Sequence, residues 1–278
     1  MGKYHCEYCG SSQYDLKENF SRRLGLPKED KFQVVKCKSC GLLSLNPLPN
    51  DSELYDIYNN YAEQGDRNNL ENKRSKKNYP RKIERIKKYF PEAETVFDIG
   101  AGLGTFLDTA KKAGLKVTGI ELEKEQVQLA KTLYDIDLEC TPFEDYILSN
   151  EDKYDVVNLS HVMEHLRHPL QTLYDIHPLL NNNGLLIIEV PNEFFNIFKE
   201  IKYSLKIEKR KPPYNSYHHL YFYSPVILQK MIKKAGYEIL EMTEILNSKE
   251  NIKNFLSPFV HLFGMGISST FEIIARSK

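Results

Sequence analysis

The stretch Thr95–Phe106, Thr-Val-Phe-Asp-Ile-Gly-Ala-Gly-Leu-Gly-Thr-Phe, constrains this chain more than any other. It opens as a short apolar, β-branched run, the pattern of a buried strand. Gly100, Gly102 and Gly104 then interrupt it, and a helical pattern runs from Thr105 to Ala113. A strand, a tight glycine turn and a helix N-terminus let the backbone approach a ligand closely, and the free N–H groups of the helix end favour anionic or polar ligand groups. Asp98 stands just before the first glycine, and a second apolar strand, Val117–Glu121, ends in an acid. In doubly wound α/β folds a carboxylate at the tip of the second strand holds a ribose diol.

The order Asp98-x-Gly100-x-Gly102-x-Gly104, followed by Glu121, resembles the first two motifs of the class I S-adenosylmethionine-dependent methyltransferases. A dinucleotide site carries G-x-G-x-x-G spacing, whereas this chain has G-x-G-x-G with a preceding acid, which moves the reading from NAD to S-adenosylmethionine. The bland alternative is a glycine turn that only joins strand to helix. The resemblance implies an α/β fold with a Rossmann-like sheet of seven strands, helices on both faces, and a cofactor held by Asp98, the three glycines and Glu121. It also implies an adenine pocket at Thr141–Glu144, where Phe143 could cover a ring face and Glu144 or a backbone N–H could bond the exocyclic amine. The alternative there is that Phe143 plugs the core and Glu144 caps the next helix. The loop from Ser160 to Pro169 would contact the methionine part of the cofactor and face the acceptor.

Four of the five cysteines fall in the first forty residues, as Cys6-x-x-Cys9-Gly10 and Cys37-x-x-Cys40-Gly41. Each pair presents two thiolates from one tight knuckle, and two knuckles can close a tetrahedral Zn²⁺ site. The 27 residues between Cys9 and Cys37 exceed the usual spacing, so that loop must hold structure of its own. Disulfides and redox-active pairs are the alternatives, and a cytosolic location, read from the absence of an apolar signal core at Met1–Cys6, disfavours the first. Cys140 stands alone in an expected strand and reads as a small core residue. A short strand over 41–45 ends at Asn46-Pro47, and 51–61 has helical spacing. The cysteine, Asn-Pro and tyrosine-rich order resembles bacterial methyltransferases that carry an N-terminal zinc ribbon and are associated with sugar or surface-glycan modification. The expected organisation is a zinc-ribbon-like module at 1–50, a helical linker at 51–94 and a methyltransferase domain at 95–278, with 190–224 a substrate lid.

Within the linker, 65–77 is polar and reads as a connection, while Pro80–Tyr89 reads as an amphipathic helix with Ile83, Ile86 and Tyr89 inward and Lys and Arg outward. Strands are then expected at Thr95–Asp98, Lys116–Glu121, Asp137–Cys140, Tyr154–Ser160 and Leu185–Glu189, alternating with helices, the signature of parallel βαβ units. A helix is expected at Pro169–Leu180, a turn at Asn181–Gly184, and antiparallel final strands at Tyr237–Thr243 and Thr270–Arg276.

His161-x-x-Glu164-His165-x-x-His168 would share one face if helical, and could bind a metal or supply a general base. His165 reads instead as a packed, hydrogen-bonded histidine. Near Tyr217–Pro225, either His218 or His219 could deprotonate an acceptor hydroxyl, or the rings there could seat the final helix.

The charges balance, with Lys+Arg 38 against Asp+Glu 38, which disfavours a general nucleic-acid surface despite local basic runs at Lys73–Lys77 and Lys206–Lys211. No run of about 18 apolar residues predicts a membrane span. The expectation is methyl transfer from S-adenosylmethionine to a small-molecule acceptor, a sugar, nucleotide-sugar or glycan. The alternatives are an RNA methyltransferase whose zinc module grips RNA, a phenol O-methyltransferase, and a non-catalytic scaffold.

Overall fold

The computed structural model describes residues 4–19, 32–50, 52–54, 67–192, 219–245 and 270–277. Strands β1 (Tyr14–Asn19), β2 (Gln33–Cys37) and β3 (Leu43–Asn46) come first, followed by helix α1 (Arg67–Tyr89). Then come β4 (Thr95–Ile99), α2 (Thr105–Lys112), β5 (Lys116–Ile120), α3 (Lys124–Tyr134) and α4 (Phe143–Ser149). After these are β6 (Tyr154–Ser160), α5 (Pro169–Ile176) and β7 (Leu180–Pro191). The chain continues with β8 (Tyr221–Phe222), α6 (Pro225–Lys234), β9 (Tyr237–Ile245) and β10 (Thr270–Ser277).

The main sheet has the order β5-β4-β6-β7-β10-β9. Its first four strands are parallel, and β10 runs antiparallel to both β7 and β9, the pairing expected of the last two strands. Alternate residues sort onto two cores: Phe97, Val157, Leu186 and Ile188 pack under α4, α5 and α6, while Val96, Val156, Leu185 and Ile187 pack under α1 and α2. Covering both faces is what makes these strands continuous apolar runs. Each such side chain taken out of water stabilises the fold by roughly 1.5–3 kcal/mol.

The sheet has six strands among the described residues, not seven. The segment Asp137–Cys140 does alternate, with Leu138 inward, but makes a single bridge from Glu139 to Ile120 at the sheet edge. Pro142, with no N–H to give, then turns the chain into α4. Cys140 is exposed rather than a core residue, because the alternation that buries Ile136 and Leu138 breaks off just past the single bridge at Glu139. The Pro169–Leu180 helix ends early, at Ile176, with one 3₁₀ turn at His177–Leu179. The Asn181–Gly184 turn is absorbed into β7 as a bulge: Tyr154 pairs with Leu180 and Val156 with Leu185, and Asn183 takes a φ of 63°. Helix α1 begins at Arg67, inside the stretch that reads as a connection.

The N-terminal strands form a second sheet, β1-β2-β3-β8, so the Cys9–Cys37 loop does hold strands and its last member comes from far along the chain. Leu45 N–H donates to Leu220 O, Lys234 Nζ to Tyr8 O, and Arg167 Nη2 to Pro49 O, which tie this sheet to the main body. The lid expected at 190–224 falls mostly outside the described residues, as do most of 51–61 and 65–66. No helix among the described residues is long and apolar enough to cross a membrane.

Candidate functional site

The glycine turn lies at the carboxyl end of β4, where all three glycines take positive φ: 70° at Gly100, 55° at Gly102 and 73° at Gly104. Only Gly adopts these values without steric cost. A Cβ on Gly100 would lie 2.6 Å from Val162 Cγ2, so the turn packs directly on the loop after β6. Glu121, at the end of β5, points at the same turn. Its carboxylate accepts from Gly102 N–H at 2.8 Å, Leu122 N–H at 2.6 Å and Glu123 N–H at 3.0 Å. Backbone donors thus fix the carboxylate beside the turn: Oε1 accepts two of these N–H groups and Oε2 one, which leaves Oε2 with a lone pair for a hydroxyl donor. That free acceptor fits a ribose hydroxyl.

Asp98 is buried at 3% exposure and accepts from Asn158 Nδ2 at 2.6 Å. Asn158 belongs to a polar network under the carboxyl ends of β4, β6 and β7. Its centre is Lys82 of α1, only 1% exposed, whose Nζ donates to Asn158 Oδ1 at 3.0 Å, Ser160 Oγ at 2.7 Å and Glu189 Oε2 at 3.2 Å. The same ammonium meets Glu272 at 2.9 Å, and Arg85 closes on Glu272 from the other side. Lys82 and Arg85 therefore turn inward, against the outward placement expected for the basic residues of this helix. Sequence reasoning did not single out Lys82, Asn158, Glu189 or Glu272. The available signals were a lysine among Tyr79, Ile83 and Ile86 on one helix face, and single acids within the apolar strands β7 and β10.

The segment 160–168 is not helical. His161 takes φ 58°, with its N–H bonded to Glu189 O at 2.8 Å, and a left-handed backbone at a residue with a Cβ breaks the expected helical face. His161 Nε2 lies 3.4 Å from Glu189 and Nδ1 3.5 Å from Glu164. Burial disfavours the imidazolium, but the two carboxylates outweigh it and push the His161 pKa up to about 9. Glu164 is likewise opposed by burial, yet His161, His165 and His219 around it hold it down to about 2. Burial also works against ionised Glu189, and Lys82 followed by His161 overcomes it. His165 and His219 pack edge to face at 4.8 Å between centroids. His168 sits apart, largely exposed, with Nδ1 3.6 Å from Glu7.

The structure thus brings Asp98, Gly100, Gly102, Gly104, Glu121, Ser160, His161 and His219 to one end of the sheet. Phe143 is buried in the core beneath α4, and Glu144 is exposed in that helix's first turn. His218 lies outside the described residues.

At the other sheet, the four thiols of Cys6, Cys9, Cys37 and Cys40 converge within 4.8 Å of one another. Cys6 and Cys40 sulfurs are 3.5 Å apart, as are those of Cys9 and Cys37, well beyond a disulfide bond of about 2.05 Å. Gly10 and Gly41, at φ 74° and 85°, let each knuckle fold back so that their N–H groups bond Cys6 O and Cys37 O. Burial raises the Cys37 thiol, but the N–H groups of Cys40 and Ser39 and the thiol of Cys9 outweigh this and bring it down to about 6. Such a donor set suits a thiophilic cation.

Residues 70–242, more than half of the chain, match the family described as a methyltransferase domain. A ubiquinone biosynthesis O-methyltransferase of Hydrogenovibrio crunogenus is 26% identical over 164 residues, covering 56% of this chain and 68% of that protein. The chain spans about two thirds of the length of the curated relatives it matches. Among solved structures, a SAM-dependent methyltransferase from Archaeoglobus fulgidus aligns with TM-score 0.51 and 18% identity over 77% of this chain and 100% of that one. The plantazolicin methyltransferase, solved with SAH, aligns with TM-score 0.52 and 15% identity over 78% and 92%. With a glycine turn and paired acids at the carboxyl end of a six-stranded methyltransferase sheet, the chain belongs to the methyltransferase-domain family and is an S-adenosylmethionine-dependent methyltransferase.

Proposed function

We propose that the chain methylates a hydroxyl of a small molecule, a sugar, nucleotide-sugar or glycan unit, and that a structural Zn²⁺ on Cys6, Cys9, Cys37 and Cys40 braces its N-terminal sheet. The observation that carries the reading is the group of imidazoles around Glu164, next to the glycine turn through the Gly100–Val162 contact. When bound, S-adenosylmethionine supplies an electrophilic sulfonium methyl, so the protein's task is mainly to orient a nucleophile in line with it.

In this reading Glu121 takes the ribose hydroxyls, and the glycine turn admits the cofactor against backbone. Asp98, held by Asn158, and Ser160, held by Lys82, face the rest of the cofactor. Phe143 and Glu144 keep the adenine end, with Phe143 acting from the core side. His161, held protonated by Glu164 and Glu189, cannot accept a proton near neutral pH and serves as a cationic anchor for the acceptor. The acceptor's hydroxyl then lies against the group formed by Glu164, His165 and His219, with His218 a further contact. The zinc-ribbon resemblance supports a sugar acceptor. The printed names of the relatives favour a second reading, a phenolic hydroxyl. Balanced charge disfavours RNA.

The test is a coupled assay for S-adenosylhomocysteine release against nucleotide sugars, free sugars and catechols. Turnover with a sugar and none with catechols supports the first reading, and the reverse supports the second. Release only with RNA, falling steeply as salt rises, overturns both.

A further inference from the structure

We infer that Glu164, His165 and His219 form a second metal site, one that takes a divalent cation of the zinc type through one carboxylate and two imidazoles. Glu164 is 1% exposed, and neither of its carboxylate oxygens has a hydrogen-bond partner. A buried carboxylate left so is costly unless something else compensates it. The buried glutamates of the neighbouring strands, Glu189 and Glu272, are compensated by lysine or arginine, since Lys82 reaches both and Arg85 also meets Glu272. Glu164 meets no lysine or arginine among the described residues; its one cationic neighbour is His161, Nδ1 at 3.5 Å, a ring it shares with Glu189.

What surrounds it instead are ring nitrogens. His219 Nε2 lies 3.8 Å and His165 Nε2 4.0 Å from Glu164 Oε1. These separations are too long for N–H···O bonds, which run about 2.7–3.2 Å. They approach the spacing of neighbouring ligands around one ion, about 3–4 Å when each bond is roughly 2.0–2.2 Å. One donor atom from each of the three residues lies within 4.8 Å of the other two. The arrangement is also clamped before any ion arrives. Leu220 N–H and Tyr221 N–H both donate to Glu164 O, at 2.8 and 3.2 Å, and Tyr223 OH donates to Met163 O at 3.1 Å. These bonds fix the segment carrying His219 against the one carrying Glu164 and His165.

Two imidazoles and a carboxylate leave coordination positions open, the ligand set of catalytic rather than structural zinc sites. The role of the ion rests on the methyl-transfer reading: an acceptor hydroxyl bound at an open position would become more acidic. The site itself does not depend on that reading.

The test loads the full-length protein with excess Zn²⁺, removes the unbound metal and counts zinc per chain, alongside calorimetry with S-adenosylhomocysteine. The wild type should hold one zinc beyond that retained by Cys6, Cys9, Cys37 and Cys40, and Glu164→Gln should lose it while Cys6→Ser keeps it. His165→Ala, at a half-buried position, carries the test should Glu164→Gln fail to fold. Co²⁺ bound at the second site should lack the thiolate charge-transfer band seen at the cysteine site. A wild type without the additional zinc, or variants that retain it, would overturn the assignment. Loss of S-adenosylhomocysteine binding by the wild type would instead indict the methyl-transfer reading, whatever the zinc count.

Discussion

Gly100 is the residue at which backbone conformation and loop packing meet. An alanine there would have to hold φ near 70° and displace the Val162 side chain, 2.6 Å from its Cβ. Gly100→Ala should weaken S-adenosylmethionine binding at least about tenfold, about 1.4 kcal/mol or more. Calorimetry with unchanged affinity would show that the turn does not hold the cofactor. Lys82 is the other sensitive position. Lys82→Met leaves Glu189 and the Asn158–Ser160 pair without their shared donor, and should cost about 3–5 kcal/mol of stability in urea unfolding. A variant as stable as the wild type would mean that the buried network relaxes freely. The two positions differ in how they could be read. Gly100, Asp98 and Glu121 declare themselves through short-range spacing around one turn. Lys82 does not, because its partners Asn158 and Glu189 lie 76 and 107 residues away in sequence. Its only local mark is a charge on an apolar helix face.

Between elements, Asp155 at the start of β6 acts as a clasp. Its carboxylate accepts from Glu94 N–H at 2.8 Å, Thr95 N–H and hydroxyl at 3.0 Å each, and Asn181 Nδ2 at 2.8 Å, joining the starts of β4, β6 and β7. Burial opposes its charge, but these donors win and hold its pKa below the ordinary carboxylate value. A pKa depressed by folding contributes stability that is present above the unfolded value, near 4, and is lost as pH falls through the folded one. Asp155→Asn should therefore cost about 1–3 kcal/mol at neutral pH and flatten the stability decline on the acid side. Equal acid profiles for variant and wild type would remove the clasp from the account. The β–turn–α alternation was legible because its periodicity is local. The exceptions are places where tertiary contacts decide. Asp137–Cys140 alternates like a strand but has one bridging partner at an edge, and the 161–168 segment has helical spacing but a left-handed His161. The Asn-Asn-Asn-Gly turn survives only as a bulge because β6 pairs on both sides of it.

For the whole molecule, the N-terminal sheet completes itself with β8, whose neighbours Leu220 and Tyr223 bond the Glu164 segment. The four cysteines are thus mechanically continuous with the carboxyl end of the parallel strands of the main sheet. Cys6→Ser should lower the Tm and slow turnover, yet leave S-adenosylhomocysteine affinity near that of the wild type, because the glycine turn and Glu121 lie on the other sheet. Loss of cofactor affinity in that variant would mean that the two sheets are not separable in this way. The tie through β8 was invisible in the sequence: Ser44 and Tyr221 pair across most of the chain, and no short-range pattern encodes such a partner. Cofactor binding is proposed for the end of the sheet built from Gly100, Gly102 and Glu121. It is tested most directly by titrating S-adenosylhomocysteine into wild type and Glu121→Ala by calorimetry. The wild type should bind saturably and the variant roughly 10–100-fold more weakly, a loss of about 1.4–2.7 kcal/mol. A folded wild type that does not bind, or a variant that binds equally well, would contradict that assignment.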